Sequence, residues 1–260
     1  MSVQQLAEDW KKTGIESGDM ILLHSSIKNT IRRYLRQKIK LTPDDILDSL
    51  LLAVGSEGTL LLPLFNFDFT SGSGFDIRST PSQMGVLTEA ARKREGAVRT
   101  GHPIYSFVAL GKNADKFLSV DNVSGYAEDS PFGILHHNKA KVAVLGLPDQ
   151  DSMTFYHYVE EMHNVSYRYY KKFTGNYTES NGLSSDKTYS LFVRNVEEGV
   201  LTDVDPMGEL LWEKGLYHGF RPSEDVGLRW VYAEDIFNAV AEVIKSGNAK
   251  GLLYSIEGEE

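Results

Sequence analysis

Short apolar runs alternate with longer amphipathic segments along most of the chain. Buried strands have the length and composition of these runs. The predicted strands cover residues 20–24, 59–64, 104–110 and 141–146. Strands that alternate with helices indicate the α/β class, and we predict a layered α/β/α fold with a mainly parallel central sheet.

Helix signals lie between these runs. Thr42 suits an N-cap, Pro43 suits the first helical turn and Gly55 suits the end, so a helix is predicted over residues 44–54. The Thr80-Pro81-Ser82 sequence predicts the start of a helix that runs to about residue 94. Residues 129–133 predict a turn. Further helices are predicted at residues 3–12, 114–118, 208–214 and 233–246.

The pattern changes after residue 172. Residues 175–187 are rich in Asn, Ser, Thr and Gly, which predicts a loop or hairpin, and an antiparallel strand is predicted over residues 189–194. A short strand follows near residues 228–231. The C-terminal part is therefore expected to add antiparallel structure. Because no repeat or linker divides the chain, we predict a single domain over residues 1–260.

Residues 151–172 combine helix signals with candidate chemistry. Asp151 or Ser152 can cap the first backbone N–H groups, and an apolar stripe follows. The opposite helical face carries an imidazole, His157, beside the carboxylates of Glu160 and Glu161. A carboxylate that fixes an imidazole and stabilises its cation makes a general base. The alternative is a solvated polar face.

Three further clusters are candidate binding residues. Ser25 and Ser26 end the first predicted strand, where hydroxyl and backbone N–H groups bind anions or merely cap a helix. Basic residues spaced four apart then share one helical face, which fits either the phosphates of a cofactor or a solvated surface. Asn66 and Asp68 alternate with aromatics, which suits a pocket for a polar ring or a loop packed on the core. The basic residues of that face are Lys28, Arg32 and Arg36.

Composition excludes several classes of protein. The chain has 260 residues and no cysteine, which removes disulfides and thiolate catalysis, and a cytoplasmic location is expected. Neither a long apolar run nor a signal-peptide core is present, so no membrane association is expected. The net charge of −9 argues against nucleic-acid binding and is compatible with a cationic substrate.

Five segments together resemble the aminoglycoside 3-N-acetyltransferase family, along roughly residues 5–255. The segments are GDMILLHSSI, GTLLLPLF, FDIRSTPSQMGVLTEAARKREGAVRTGHPIYSFVALG, DSPFGIL and TFYHYVEEMHNVSYR. The resemblance implies a non-GNAT acyltransferase that uses acetyl-coenzyme A to acetylate a small-molecule amine. It places the catalytic histidine of an H-x-x-E motif at His157 with Glu160. It also assigns cofactor contacts to Ser25, Ser26, Ile27, Ser106, Phe107 and Val108.

The substrate stays open between an aminoglycoside and an amino sugar of a biosynthetic pathway, on its own or linked to a nucleotide. Ser166 replaces a proline that is frequent in the family, and residues 30–40 and 65–75 look unlike those of resistance enzymes. We expect His157 to take the proton of the attacking amine, with Glu160 or Glu161 orienting His157, and Thr154 to donate to the oxyanion. Asn66, Asp68, Glu161 and Tyr167 are expected to contact the substrate. A homodimer is compatible with this prediction.

Two competing functions come from other classes. A metal hydrolase would use His157, Glu160 and His163, but at ~100° per residue His163 lies about 120° around the helix from His157. We therefore expect no metal. A non-catalytic protein that binds an amino sugar or nucleotide would not need the His157–Glu160 pair.

Overall fold

The computed structural model describes residues 2–259, so Met1 and Glu260 of the predicted domain lie outside the described residues. The α-helices in this range are α1 (Ser2–Lys11), α2 (Lys28–Arg36), α3 (Pro43–Val54), α4 (Val86–Arg92), α5 (Pro131–His137), α6 (Phe155–Met162), α7 (Asp205–Glu213) and α8 (Ala233–Lys245). The strands are β1 (Met20–Ser25), β2 (Thr59–Pro63), β3 (Phe75–Asp76), β4 (Val98–Arg99), β5 (Phe107–Gly111), β6 (Lys141–Leu145), β7 (Arg168–Thr178), β8 (Ser184–Arg194), β9 (Val200–Thr202), β10 (His218–Gly219), β11 (Leu228–Tyr232) and β12 (Tyr254–Ile256).

A seven-stranded sheet in the order β10-β11-β6-β1-β2-β5-β4 forms the centre. Strand β1 lies between β2 and β6 and is parallel to both, so Ile21 pairs with Leu60 on one side and with Lys141 on the other. Strands β5 and β11 extend this parallel centre with antiparallel pairings. The predicted α/β class with added antiparallel strands is confirmed, and its parallel part consists of β6, β1 and β2.

Side chains of the central strands alternate between two cores, because successive residues of a strand point to opposite faces. Leu22 and Val144 belong to a core that includes residues of α5, α6, α7 and α8. Ile21 and Leu23 belong to a second core that includes residues of α1, α2, α3 and α4. The helices therefore cover both faces of the sheet, which gives the predicted α/β/α layers.

Local signals in helix α3 have the expected effect. The Thr42 hydroxyl accepts a hydrogen bond from the backbone N–H of Asp45 (3.1 Å), and the Asp45 carboxylate accepts from the backbone N–H of Thr42 (2.8 Å). This reciprocal capping box satisfies two N–H groups that a helix start would leave free, and Pro43 follows in the first turn.

The predictions for the following three segments were wrong. Helix α4 begins at Val86 and not near Thr80, because the Ser82 hydroxyl accepts from the backbone N–H of Met84 (3.0 Å) and holds that segment in a bend. Residues 129–133 are not a turn alone, since Pro131 opens helix α5. Strand β5 begins at Phe107 and not at residue 104, because His102 Nδ1 accepts from the backbone N–H groups of Ile104 and Tyr105.

The region predicted as loop or hairpin is a long hairpin. Strands β7 and β8 pair antiparallel from Arg168↔Arg194 to Thr178↔Ser184, and β3 joins β7 as a third strand. The hairpin thus starts eight residues after Glu160, next to the end of α6.

Candidate active site

Helix α6 places an imidazole against a buried carboxylate. His157 Nδ1 donates to Glu160 Oε2 (2.7 Å), three residues along the helix. Because Nδ1 faces a carboxylate, the ring proton sits there and Nε2 keeps its electron pair. The His157 side chain is 15% exposed while that of Glu160 is 1% exposed, so the imidazole reaches solvent and its carboxylate does not.

Arg168 completes the charge arrangement. Its Nε lies 2.8 Å from the same Glu160 oxygen, and its Nη1 donates to the backbone carbonyl of Phe192 (3.1 Å) on the partner strand. The hairpin therefore holds this guanidinium against α6. Sequence reasoning did not predict this residue, although it closes the quoted segment that contains His157.

The pKa values of the pair follow from this arrangement. Burial alone would raise the pKa of Glu160, but the Arg168 guanidinium and the His157 ring outweigh it, so the pKa is lowered and the carboxylate stays charged. Burial and then the Arg168 charge lower the pKa of His157 below 6.5, against the opposing effect of Glu160. His157 is therefore neutral at neutral pH, as a general base must be.

The imidazole opens into a space that we call the His157 cavity, with a volume of about 530 Å³. The Tyr126 ring packs edge-on against the His157 ring at 5.4 Å between centroids. The hairpin closes the other side with Tyr169, Lys171 and Phe173. The cavity is thus walled by aromatic rings and has a proton acceptor in its lining.

Thr154 and Glu161 flank His157 on the same chain segment. Thr154 stands at the N-cap of α6, without the predicted capping by Asp151 or Ser152, and its Oγ1 lies 3.4 Å from Nε2 of His24. Burial lowers the pKa of His24 to about 3, so His24 is neutral. Glu161 is buried, accepts from the Ser124 hydroxyl (2.7 Å) and does not line the His157 cavity.

A second space, the Ser25 cavity, lies at the carboxyl end of β1 and has a volume of about 450 Å³. Its lining includes the predicted Ser25, Ser26, Ile27 and Lys28, together with His24. The Ser25 hydroxyl is buried and has no hydrogen-bond partner among the described residues. No side chain caps helix α2, so its first N–H groups are available to an anion.

The segment between β2 and α4 connects the two cavities. Gln83 lines the Ser25 cavity, and its side-chain oxygen accepts from the backbone N–H of Phe67 (3.0 Å). Phe67 lines the His157 cavity. Thr154 makes a second connection, because it contacts His24 of the Ser25 cavity and lies one turn before His157 of the other. The two cavities are therefore neighbours.

The other predicted basic residues line a further space along α2. Arg32 and Arg36 are exposed and border this Arg32 cavity of about 300 Å³, together with Thr30, whose buried hydroxyl also lacks a partner among the described residues. The Arg33 guanidinium forms a salt bridge with the Asp9 carboxylate (2.9 Å).

Besides Arg32, Arg36, Glu161 and Tyr167, five further predicted contacts lie outside the linings of the Ser25 and His157 cavities. Asn66 is used within its loop, where its amide donates to the Pro81 carbonyl (3.0 Å) and its oxygen accepts from the backbone N–H of Asp68 (3.0 Å). The Asp68 carboxylate accepts from Gln83 (2.9 Å). The remaining three are buried side chains in or next to β5, namely Ser106, Phe107 and Val108. Binding roles for these residues stay predictions.

Tyr167 lies near Glu160 and does not line the His157 cavity. Its ring stacks on Tyr254 at 4.0 Å, and burial together with the nearby Glu160 carboxylate raises the pKa of its hydroxyl. Within residues 2–259, no group of three or more His, Asp or Glu side chains is placed to hold a metal ion. The helices of that range include none that is long and apolar enough to cross a membrane.

The chain is similar to several known proteins. The prophage-derived aminoglycoside N(3')-acetyltransferase-like protein YokD of Bacillus subtilis is 28% identical over 180 residues, which are 60% of this chain and 64% of that protein. The match covers about three fifths of the length of each curated relative.

Two solved structures share the fold. AAC-IIIb in a binary complex with CoASH has a TM-score of 0.77 and 22% identity, covering 94% of this chain and 96% of that one. AAC-VIa bound to sisomicin has a TM-score of 0.75 and 21% identity, covering 96% and 99%. The family model for aminoglycoside 3-N-acetyltransferase matches residues 22–245. Because this match spans most of the sequence, the protein belongs to the aminoglycoside 3-N-acetyltransferase family.

Proposed function

We propose that this protein transfers an acetyl group from acetyl-coenzyme A to an amine of an aminoglycoside or a related amino sugar. The transfer is direct, and His157 is its general base. The observation that carries the proposal is the neutral imidazole that opens to the His157 cavity while a charged, buried Glu160 fixes its other nitrogen. Acetyl transfer to nitrogen needs such a group, because an amine attacks a carbonyl only after it has given up its proton.

The Ser25 cavity suits the acetyl donor. Ser25 offers a buried hydroxyl that has no partner within residues 2–259, and the start of α2, which no side chain of that range caps, offers N–H groups to a phosphate. Lys28 lines the same cavity and supplies a positive charge. Coenzyme A, when bound, supplies a thioester whose sulfur is the leaving group. A related structure was solved with CoASH, which supports the same type of donor here.

The proton path follows from the tautomer of His157. The amine nitrogen forms a bond to the thioester carbonyl carbon, and its proton passes to Nε2 of His157. The carbon–sulfur bond then breaks, and the same proton neutralises the departing thiolate. In this proposal Glu160 stabilises the transient imidazolium, and Thr154, one turn before His157, donates to the carbonyl oxygen. No acyl-enzyme residue is needed.

An assay of coenzyme A release tests the proposal. The protein is incubated with acetyl-coenzyme A and one amine at a time, including sisomicin and glucosamine, and free thiol is followed together with the mass of the product. We expect amine-dependent thiol release and a product heavier by one acetyl group. If no amine in the panel produces thiol above the amine-free rate, the proposed activity is wrong.

A further inference from the structure

The charged side chains that line the His157 cavity are all cationic, which does not suit a polyamine ligand. Three cationic residues line it, Arg168, Lys171 and Arg194, whereas none of its lining residues is an Asp or Glu. Arg168 is balanced by Glu160 behind it. Lys171 and Arg194 have no salt-bridge partner within residues 2–259, so the cavity keeps two uncompensated positive charges.

The hairpin places these charges at defined positions. Arg194 stands directly opposite Arg168 in the register of β7 and β8. Two like charges opposite each other destabilise a strand pair unless an anion lies near them, and Glu160 is shared with His157 and Arg168. On the other hairpin face, Lys171 lies between Tyr169 and Phe173, which line the cavity with it.

The two carboxylates that the sequence assigned to the substrate are used elsewhere. The Asp68 carboxylate accepts from Gln83, and the Glu161 carboxylate accepts from Ser124. Burial raises the pKa of Glu161. Neither residue lines the cavity, so neither offsets Lys171 and Arg194 there. A ligand with several ammonium groups would meet repulsion close to the base.

We propose that the acceptor of this site is an amine that also carries an anionic group, a phosphate or a carboxylate, which the uncompensated charges of Lys171 and Arg194 attract to the cavity. This inference rests on the acetyl transfer proposed above and narrows its substrate class. Arg binds both kinds of anion through paired N–H groups, and Lys adds a point charge. The aromatic walls, with Tyr126 and Tyr169, accommodate the sugar or other ring that bears the amine.

Three ligands that share one ring amine test the charge preference. Glucosamine is neutral apart from its amine, glucosamine 6-phosphate adds a phosphate, and muramic acid adds a carboxylate. Binding is measured by calorimetry without acetyl-coenzyme A, at low and at high salt. We expect at least one of the two anionic ligands to bind fivefold or more tightly than glucosamine, with the difference shrinking in high salt. The ligand that binds more tightly identifies the anionic group.

Two double variants connect the preference to the cavity. In Lys171→Gln/Arg194→Gln, the anionic ligands should bind within twofold of glucosamine. In the control Lys172→Gln/Lys245→Gln, which removes the same charge from exposed residues outside the cavity lining, the preference should persist. Loss of the preference in both double variants would indicate an effect of net charge and overturn the assignment to Lys171 and Arg194.

The wild-type protein decides the inference even if a variant fails to fold. If glucosamine or sisomicin binds as tightly as both anionic ligands, the inference is wrong while the acetyl transfer stands. If the anionic ligands bind more tightly but neither they nor sisomicin support thiol release from acetyl-coenzyme A, the acetyl transfer is wrong and the charge preference stands.

Discussion

The Glu160–Arg168 pair and the Asp149–Arg229 pair are both buried, yet different side chains donate hydrogen bonds to their carboxylates. Glu160 accepts from the His157 imidazole, which opens to a cavity. Asp149 receives hydrogen bonds from the Tyr156 and Tyr217 hydroxyls (2.6 and 2.7 Å), and Arg229 lies 2.5 Å away. Phenols whose pKa values are raised by burial do not exchange protons near neutral pH. Under the proposed function, similar charge pairs serve stability in one place and proton transfer in the other.

Removing the Asp149 carboxylate should have the largest effect on stability. In Asp149→Ala, the buried Arg229 charge and two hydroxyls lose their shared partner, and we expect a loss of about 3–5 kcal/mol in the free energy of unfolding. Urea unfolding measures this value. The control Asp186→Ala, at an exposed residue, should change stability by less than about 0.5 kcal/mol. A loss below about 1 kcal/mol in Asp149→Ala would contradict a structural role for this pair.

Removing the imidazole should affect turnover and not the fold. His157→Ala is expected to lower kcat by at least about 10², the usual contribution of a general base, with donor binding and melting temperature nearly unchanged. His163→Ala, one residue after the end of α6, is the matched control, because its ring contacts the Val159 carbonyl (2.9 Å) and the Phe237 ring (5.7 Å between centroids) and does not line the His157 cavity. Turnover of His157→Ala close to that of the wild type would exclude His157 as the base.

Neutralising Glu160 should change both rate and pH dependence. The carboxylate raises the pKa of His157, so Glu160→Gln lowers that pKa further and destabilises the imidazolium. We expect kcat to fall about tenfold and the acid limb of kcat/KM to move to lower pH. In the wild type this limb should already lie below pH 6.5, since burial and Arg168 lower the pKa of His157. An unchanged acid limb in Glu160→Gln would show that Glu160 does not act through His157.

The smallest effect is expected from the exposed residues of α2. Arg32→Ala/Arg36→Ala should weaken coenzyme A binding several-fold, flatten its salt dependence and leave amine affinity unchanged, because exposed charges act through a screened field. Calorimetric titration at low and at ~0.5 M salt measures both quantities. Equal affinity of the double variant and the wild type at both salt levels would indicate that these arginines do not bind the phosphates.

Local signals made part of this molecule predictable. Thr42 and Asp45 satisfy each other within one turn, so helix α3 follows from four residues of sequence. His157 and Glu160 are also neighbours on one helix, and their contact was predicted from their spacing. Arg168 could not be assigned, because its contact with Glu160 depends on how the hairpin leaves α6. The cationic lining was hidden for the same reason, since Lys171 and Arg194 reach the lining of one cavity only through the pairing of β7 with β8.

The proposed proton-transfer residues and most of the cavity lining come from two successive parts of the chain. Thr154, His157, Glu160 and Arg168 come from fifteen consecutive residues and fix the proton-transfer geometry before the hairpin turns. The residues beyond Arg168 supply most of the lining of the His157 cavity. A change confined to the hairpin beyond Arg168 therefore alters the lining that an acceptor meets, and it leaves the contacts of His157 and Arg168 with Glu160 in place.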